Sequence, residues 1–168
     1  MNGSTHLRDD NNVISKIQLS GGIDSTFVLY DWLLNNPNEY CIVHHIDLDN
    51  HENRILHEAE AVKNILNWLD SKSLKNYIYI ETGFDYGNLR FIVKDVEICG
   101  FFLGVIIRNR KWTALKQVLL PIYEPEQGTR HFRSQEIMKI VGFNKKLNVM
   151  YPIKNLSKSD VIKKMPKE

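Results

Sequence analysis

The sequence predicts a Rossmann-like three-layer α/β/α fold around a mostly parallel five-stranded sheet, and three observations lead there. Strand-like and helix-like segments alternate from Val13 to the end of the chain. The best strand candidates are near-continuous apolar runs without strict alternation, the pattern of strands covered on both faces. The 168 residues suit one domain and bury roughly two-thirds of the unfolded chain's surface. Alternation with buried strands implies parallel pairing through right-handed crossovers.

Each element has its own signal. Residues Met1 to Asn12 are polar and contain Gly3, so a loose N-terminus is expected before order begins at Val13. Val13–Leu19 (VISKIQL) runs into Ser20-Gly21-Gly22 and reads as a strand stopped by a glycine turn. Ser25–Leu34 is apolar almost all round and is followed by Asn35, Asn36 and Pro37, a buried helix with a clear stop. Tyr40–Leu48 (YCIVHHIDL) is the most continuous strand run. Ile55, Ala59, Val62, Leu66 and Leu69 recur at helical spacing, the strongest helix signal in the chain. Tyr77–Ile80 predicts a third strand that ends at Thr82-Gly83, and Val96–Ile107 a further buried helix despite Gly100 and Gly104. Val118–Tyr123 and Asn148–Ile153 predict the last two strands, with a helix over His131–Val141 between them. Ser157 and Asp160 form a capping box that opens a final helix.

Composition removes several classes. With 43% hydrophobic and 25% charged residues the chain is neither disordered nor fibrous. Cys41 and Cys99 lie far apart in apolar runs, so they read as buried reduced thiols and supply no CxxC site. No basic-then-apolar leader opens the chain and no stretch approaches the roughly 20 apolar residues of a membrane span, so a cytoplasmic protein without membrane contact is expected. The net charge of +2 conceals an asymmetry: residues 1–84 hold 6 Lys+Arg against 12 Asp+Glu, and residues 85–168 hold 16 against 8. That distribution fits attraction within the fold or a basic surface for a phosphate-bearing ligand.

In a parallel sheet ligands bind beyond the carboxyl ends of the strands, which brings Ser20–Thr26, His45–Asn50 and Thr82–Tyr86 to one crevice. The loop Ser20-Gly21-Gly22-Ile23-Asp24-Ser25-Thr26 stands between the first strand and the first helix. Free backbone N–H groups and the helix dipole face an anion there. Paired glycines allow close approach of phosphate oxygens, and three hydroxyls add donors. The loop has neither the Gly-Lys-Ser/Thr end of a Walker loop nor a GxGxxG, so it is a phosphate cradle of another kind.

Ser20-Gly21-Gly22-Ile23-Asp24-Ser25 resembles the SGGxDS signature of the PP-loop ATP pyrophosphatases, the adenine nucleotide alpha hydrolase-like superfamily. Within it the chain looks most like the 7-cyano-7-deazaguanine synthase (QueC-like) branch. The strand end His45-Ile46-Asp47, the following Arg54 and Glu58, and the late segments Tyr151-Pro152-Ile153 and Leu156-Ser157-Lys158 carry that likeness. The match spans roughly residues 13–164 and is strongest in the first 60. The resemblance implies cleavage of ATP between the α and β phosphates, with Mg²⁺, to adenylate a carboxylate or carbonyl oxygen of a small substrate, in this branch a purine or deazapurine-type one. It implies Ser20, Gly21, Gly22, Asp24, Ser25, Thr26, His45 and Asp47 as nucleotide-binding residues, and Asp24 and Lys158 as catalytic ones. The branch continues into a cysteine cluster that holds zinc, whereas this chain reaches Glu168 with two distant cysteines. No zinc is expected in this polypeptide, and residues 13–168 are expected to form a single nucleotide-binding domain, a fragment or a naturally reduced relative. Where the family carries an acidic stretch, this chain reads Tyr123-Glu124-Pro125-Glu126-Gln127-Gly128.

Other clusters are weaker. His44, His45, His51 and His57, with Asp47, Asp49 and Glu52, suggest a metal site, but their spacing is not HExxH and neighbouring strand residues point to opposite faces. Arg54 and Glu58 are either functional or a surface i,i+4 pair. Arg108-Asn109-Arg110-Lys111-Trp112, with Arg130, Arg133 and Lys139, is either a basic surface for nucleic acid or a solvated helix end. A homo-oligomer is compatible with the sequence. Two functional readings stand: an adenylating ATP pyrophosphatase, or a nucleotide-binding module that has lost turnover, such as a sequestering protein or one part of a split enzyme.

Overall fold

The computed structural model describes residues 13–49, 54–88, 95–123, 128–143 and 145–166. Five strands, β1 (Val13–Gln18), β2 (Tyr40–Asp49), β3 (Tyr77–Asp85), β4 (Gln117–Leu119) and β5 (Asn148–Met150), form one sheet in the order β3-β2-β1-β4-β5. Every neighbouring pair is parallel. Helices α1 (Ile23–Asn35), α2 (Ile55–Ser71), α3 (Asp95–Arg108), α4 (Thr129–Val141) and α5 (Lys158–Lys164) occupy the crossovers and the C-terminal end. The alternation and the three-layer class predicted from sequence are the architecture observed.

The apolar run of β2 has a direct cause. Cys41 and Val43 join the core that contains Leu29 and Leu33 of α1, Val62 and Leu69 of α2 and Val161 of α5. Ile42 enters the opposite core with Leu103, Ile106 and Ile107 of α3 and Met138 of α4. Both faces of β2 are therefore dry, and alternation has no polar side to mark. The chain moves outward from β1 through β2 to β3, then returns to the other side for β4 and β5. The order reverses between β1 and β4, the switch point at which such sheets open a crevice.

Several expected boundaries differ. β3 does not stop at Thr82-Gly83; it continues to Asp85, because β2 reaches Asp49 and pairs with it residue for residue from Cys41↔Tyr77 to Asp49↔Asp85. Gly83 is tolerated because its missing side chain faces open space. β4 and β5 are shorter than predicted. Pro121 cannot donate to a ladder, and Tyr151–Lys154 closes a turn through Lys154 N–H to Tyr151 C=O at 3.1 Å. α1 begins at Ile23 and α4 at Thr129, each two residues before its predicted start. The capping box is present: the Ser157 side chain accepts from Asp160 N–H, and the Asp160 side chain accepts from Ser157 N–H at 3.0 Å. No helix among the described residues is long and apolar enough to cross a membrane. Residues 1–12, and Asn50, His51, Glu52 and residues 124–127 from the constellations above, lie outside the described residues.

Candidate functional site

The Ser20–Thr26 loop leaves β1 beside the switch point. Gly21 holds φ at +80°, and a Cβ there would meet Ala61 Cβ at 3.1 Å and the Glu58 carbonyl oxygen at 3.3 Å. Both the left-handed turn and the approach of α2 therefore require glycine. Gly22 differs. Its φ of −81° and ψ of 158° are extended backbone open to any residue, and a Cβ would meet only Ser20 Oγ, at 3.5 Å. Nothing in the fold demands glycine at position 22.

Gly22 is also the N-cap of α1, and no side chain caps that end. The first N–H groups of α1 lack an intrahelical acceptor, while the dipole concentrates positive potential on them. α5 is closed by a complete capping box, whereas α2 and α4, like α1, have no side-chain cap, so at α1 it is the glycine-rich approach and not the open end alone that marks the site. The hydroxyls brace the turn: Ser20 N–H donates to Ser25 Oγ at 3.2 Å, Ser25 Oγ donates to the Gly22 carbonyl at 3.0 Å, and Thr26 Oγ1 donates to the same carbonyl at 2.8 Å. Ser25 and Thr26 are buried. They shape the loop more than they face a ligand, whereas Ser20 is exposed. Ser20, Gly21 and Gly22 form one wall of a cleft whose other wall is Arg54, His57, Glu58 and Ala61 at the start of α2.

The remaining expected residues distribute unevenly. Asp24, in the first turn of α1, accepts a hydrogen bond from Tyr123 Oη at 2.5 Å, which ties the loop to the chain beyond β4 across the switch point. His45 is 1% exposed. Its Nδ1 lies 2.9 Å from the Leu19 carbonyl oxygen, so that nitrogen carries the hydrogen and the ring fixes the end of β1. Nε2 lies 3.1 Å from Asp47 Oδ1, unaligned for a hydrogen bond, and both atoms are buried without a hydrogen-bond partner among the described residues. Lys158 is exposed at the first turn of α5, and no hydrogen bond or ion pair joins it to the loop among the described residues.

The weaker clusters resolve in physical terms. His44 is a core histidine: Nε2 lies 2.9 Å from Thr82 Oγ1 and the ring meets Phe102 edge-on. Burial, then the charges of Lys16 and His45, pull its pKa down to about 3, so it is neutral. His57 is exposed in the cleft, far from sharing a site with it. Among the described residues no three His, Cys, Asp or Glu side chains converge as metal ligands. Arg54 is half functional in position and half paired: it lines the cleft, yet its Nη1 and Nη2 hold Glu58 Oε1 at 2.9 Å and Asp95 Oδ2 at 3.0 Å. In the basic stretch, Trp112 is 4% exposed within the second core and offers no face for a base to stack on. Arg108 lies over the Phe143 ring at 4.0 Å, while Arg133 and Lys139 pair with Glu97 and Glu136. The Arg130 side chain lies outside the described residues.

Sequence reasoning missed Tyr123 as the partner of Asp24 and missed Lys16 altogether. Lys16 is 1% exposed in the middle of the sheet, and only the tertiary packing of α3 and α4 over it reveals this. Comparisons of the chain with protein-family models, curated proteins and solved structures yield no match.

Proposed function

We propose that the Ser20–Thr26 loop binds the phosphates of ATP and that the chain is a PP-loop ATP pyrophosphatase of the QueC-like kind, acting in the cytoplasm on a small-molecule acceptor. The observation that carries this reading is Gly22. Its backbone suits any residue and a Cβ would find room, and glycine at this N-cap leaves the approach to the helix end clear. That position is the uncapped N-cap of α1, where a side chain would stand in the path of an anion approaching the N–H groups.

In this reading the oxygen of the acceptor attacks the α-phosphorus of ATP, the bond to the bridging oxygen breaks, and pyrophosphate leaves. The loop N–H groups and Ser20 hold the departing phosphates, so negative charge accumulating there meets donors already oriented. Asp24 and Asp47 fit Mg²⁺, which takes carboxylate and phosphate oxygens: Asp24 keeps a carboxylate oxygen beyond its Tyr123 bond, and Asp47 Oδ1 is a buried acceptor without a donor among the described residues. When bound, Mg²⁺ neutralises phosphate charge. Lys158, exposed at the first turn of α5, is the cation that would add positive charge in the transition state. Isothermal calorimetry with Mg·ATP tests the assignment: wild type binds, and Gly22→Ala binds at least tenfold more weakly while remaining folded.

A further inference from the structure

On the face of the sheet opposite α1, helices α3 and α4 enclose a cavity of about 240 Å³. Its walls are mainly hydrocarbon, from Val96, Leu103, Leu120, Ile122, Met138 and Val149, with His131, Ser134 and Gln135 of α4 along one side. Into it also projects Lys16, fully buried in the centre of the sheet. The ammonium has three donors, and its one hydrogen-bond partner among the described residues is Gln18 Oε1 at 2.6 Å. A buried cation needs a counter-charge or several acceptors. The titratable groups around it supply neither. His44 of β2 is neutral, as argued above. Burial raises the Cys99 thiol of α3, keeping it protonated, and burial lowers His131 of α4. Desolvation pulls Lys16 itself down to about 8, which still leaves it mostly charged at neutral pH.

We propose that this cavity binds a short- or medium-chain aliphatic carboxylate, its headgroup on Lys16 Nζ and the Gln18 amide and its chain against Leu103, Met138 and Val149. The occupant carries one negative charge because the site offers one cation; a phosphate dianion would leave charge unmatched in a dry pocket. It is aliphatic because Leu103, Leu120, Ile122, Met138 and Val149 make up most of the wall beyond Lys16, and hydrocarbon buried against them is removed from water. The size agrees: an apolar cavity of about 150 Å³ accommodates benzene, so this one has room for a chain of about six to eight carbons. Gln18 presents its Oε1 to Lys16, which leaves its amide N–H groups for the second carboxylate oxygen. The site stands on the other face of the sheet from α1 and does not depend on nucleotide binding.

Octanoate is the probe, with octanamide as its neutral counterpart, on the whole chain carrying ¹³C-methyl methionine and without nucleotide. Octanoate is expected to shift the Met138 methyl resonance saturably, and octanamide to bind at least tenfold more weakly. Lys16→Met, which keeps length and removes charge, is expected to bind octanoate at least tenfold more weakly with an unchanged or higher melting temperature. Should that variant fail to fold, Val149→Phe, which fills the cavity and retains Lys16, must show the same loss. Absence of octanoate binding to wild type, equal affinity for octanamide, undiminished binding in the variant, or shifts at Met150 or Met165 without Met138 would each overturn the proposal. None of these results bears on ATP binding, which the Gly22 variant tests separately.

Discussion

Replacing Gly22 by Ala separates what the fold needs from what a ligand needs. The backbone at position 22 accepts alanine, and the new Cβ meets only Ser20 Oγ at 3.5 Å. Gly→Ala at a compatible φ,ψ stabilises by about 0.4–1 kcal/mol through the unfolded chain. Alanine is a poorer N-cap than glycine by a comparable amount, roughly 0.5–1 kcal/mol. The two offset, so the melting temperature should stay within about 3 °C of wild type. The ligand side is one-sided: each charge-assisted hydrogen bond lost to a displaced phosphate oxygen costs about 1.5–3 kcal/mol, roughly a tenfold to hundredfold loss of ATP affinity for a single bond. Gly21→Ala is the control with the opposite profile. It forces alanine to φ +80° against Ala61 and Glu58 and should cost about 1–2 kcal/mol of stability. Calorimetry with Mg·ATP and thermal denaturation on both variants complete the test. Wild-type ATP affinity in a folded Gly22→Ala protein would refute the reasoning, because it would mean that no ligand occupies the space the glycine leaves.

Lys16 should impose a pH dependence on stability. Its folded pKa is about 8 against 10.5 in the unfolded chain, so the unfolded state binds more protons between those values and wild-type stability gains with rising pH over that window relative to Lys16→Met, by an amount on the order of 3 kcal/mol. Cys41, raised by burial, acts in the opposite sense above pH 9 in both proteins and cancels in the difference, while Cys99, raised by burial and lowered by the Lys16 charge, opposes stability more strongly once that charge is removed and so widens the divergence; parallel urea titrations at pH 7.5 and 9.5 with no divergence would contradict the buried charge. Tyr123→Phe removes the donor to Asp24 and should lower stability by about 1.5 kcal/mol, read as an earlier urea midpoint; an unchanged midpoint would mean that this link across the switch point carries no energy. Lys158→Ala should leave the melting temperature unchanged, since the side chain is exposed, and should lower kcat by roughly tenfold or more with little change in KM for ATP, as expected of a charge used in the transition state.

The layers of the fold were legible because their causes are periodic. Leu69, Val62 and their helical neighbours bury one stripe, and β2 is apolar throughout because both of its faces are covered. What the sequence hid depends on partners distant along the chain. The extension of β3 through Thr82 and Gly83 follows from the reach of β2, which no local pattern encodes. His44 and His45, adjacent in sequence, become a neutral core ring and a brace on the Leu19 carbonyl once the sheet is assembled. Lys16 has no local signal of burial, which follows only from α3 and α4 closing over it. At the loop, the sequence signalled two glycines alike; the backbone separates them, one required by the turn and one whose conformation and surroundings are open to other residues.

Which bond of ATP breaks is tested most directly by product analysis of ATP labelled on its α-phosphate. Wild-type protein incubated with Mg·ATP and a small-molecule cell extract as the source of acceptor should convert the label to AMP, with pyrophosphate released in equal amount, because a loop that grips the departing phosphates exposes the α-phosphorus to attack. The conversion at ATP below saturation should be at least tenfold slower with Gly22→Ala. Label recovered only as ADP would contradict the mechanism, and label left wholly in ATP with wild-type protein in every extract would contradict turnover and leave the nucleotide-binding module.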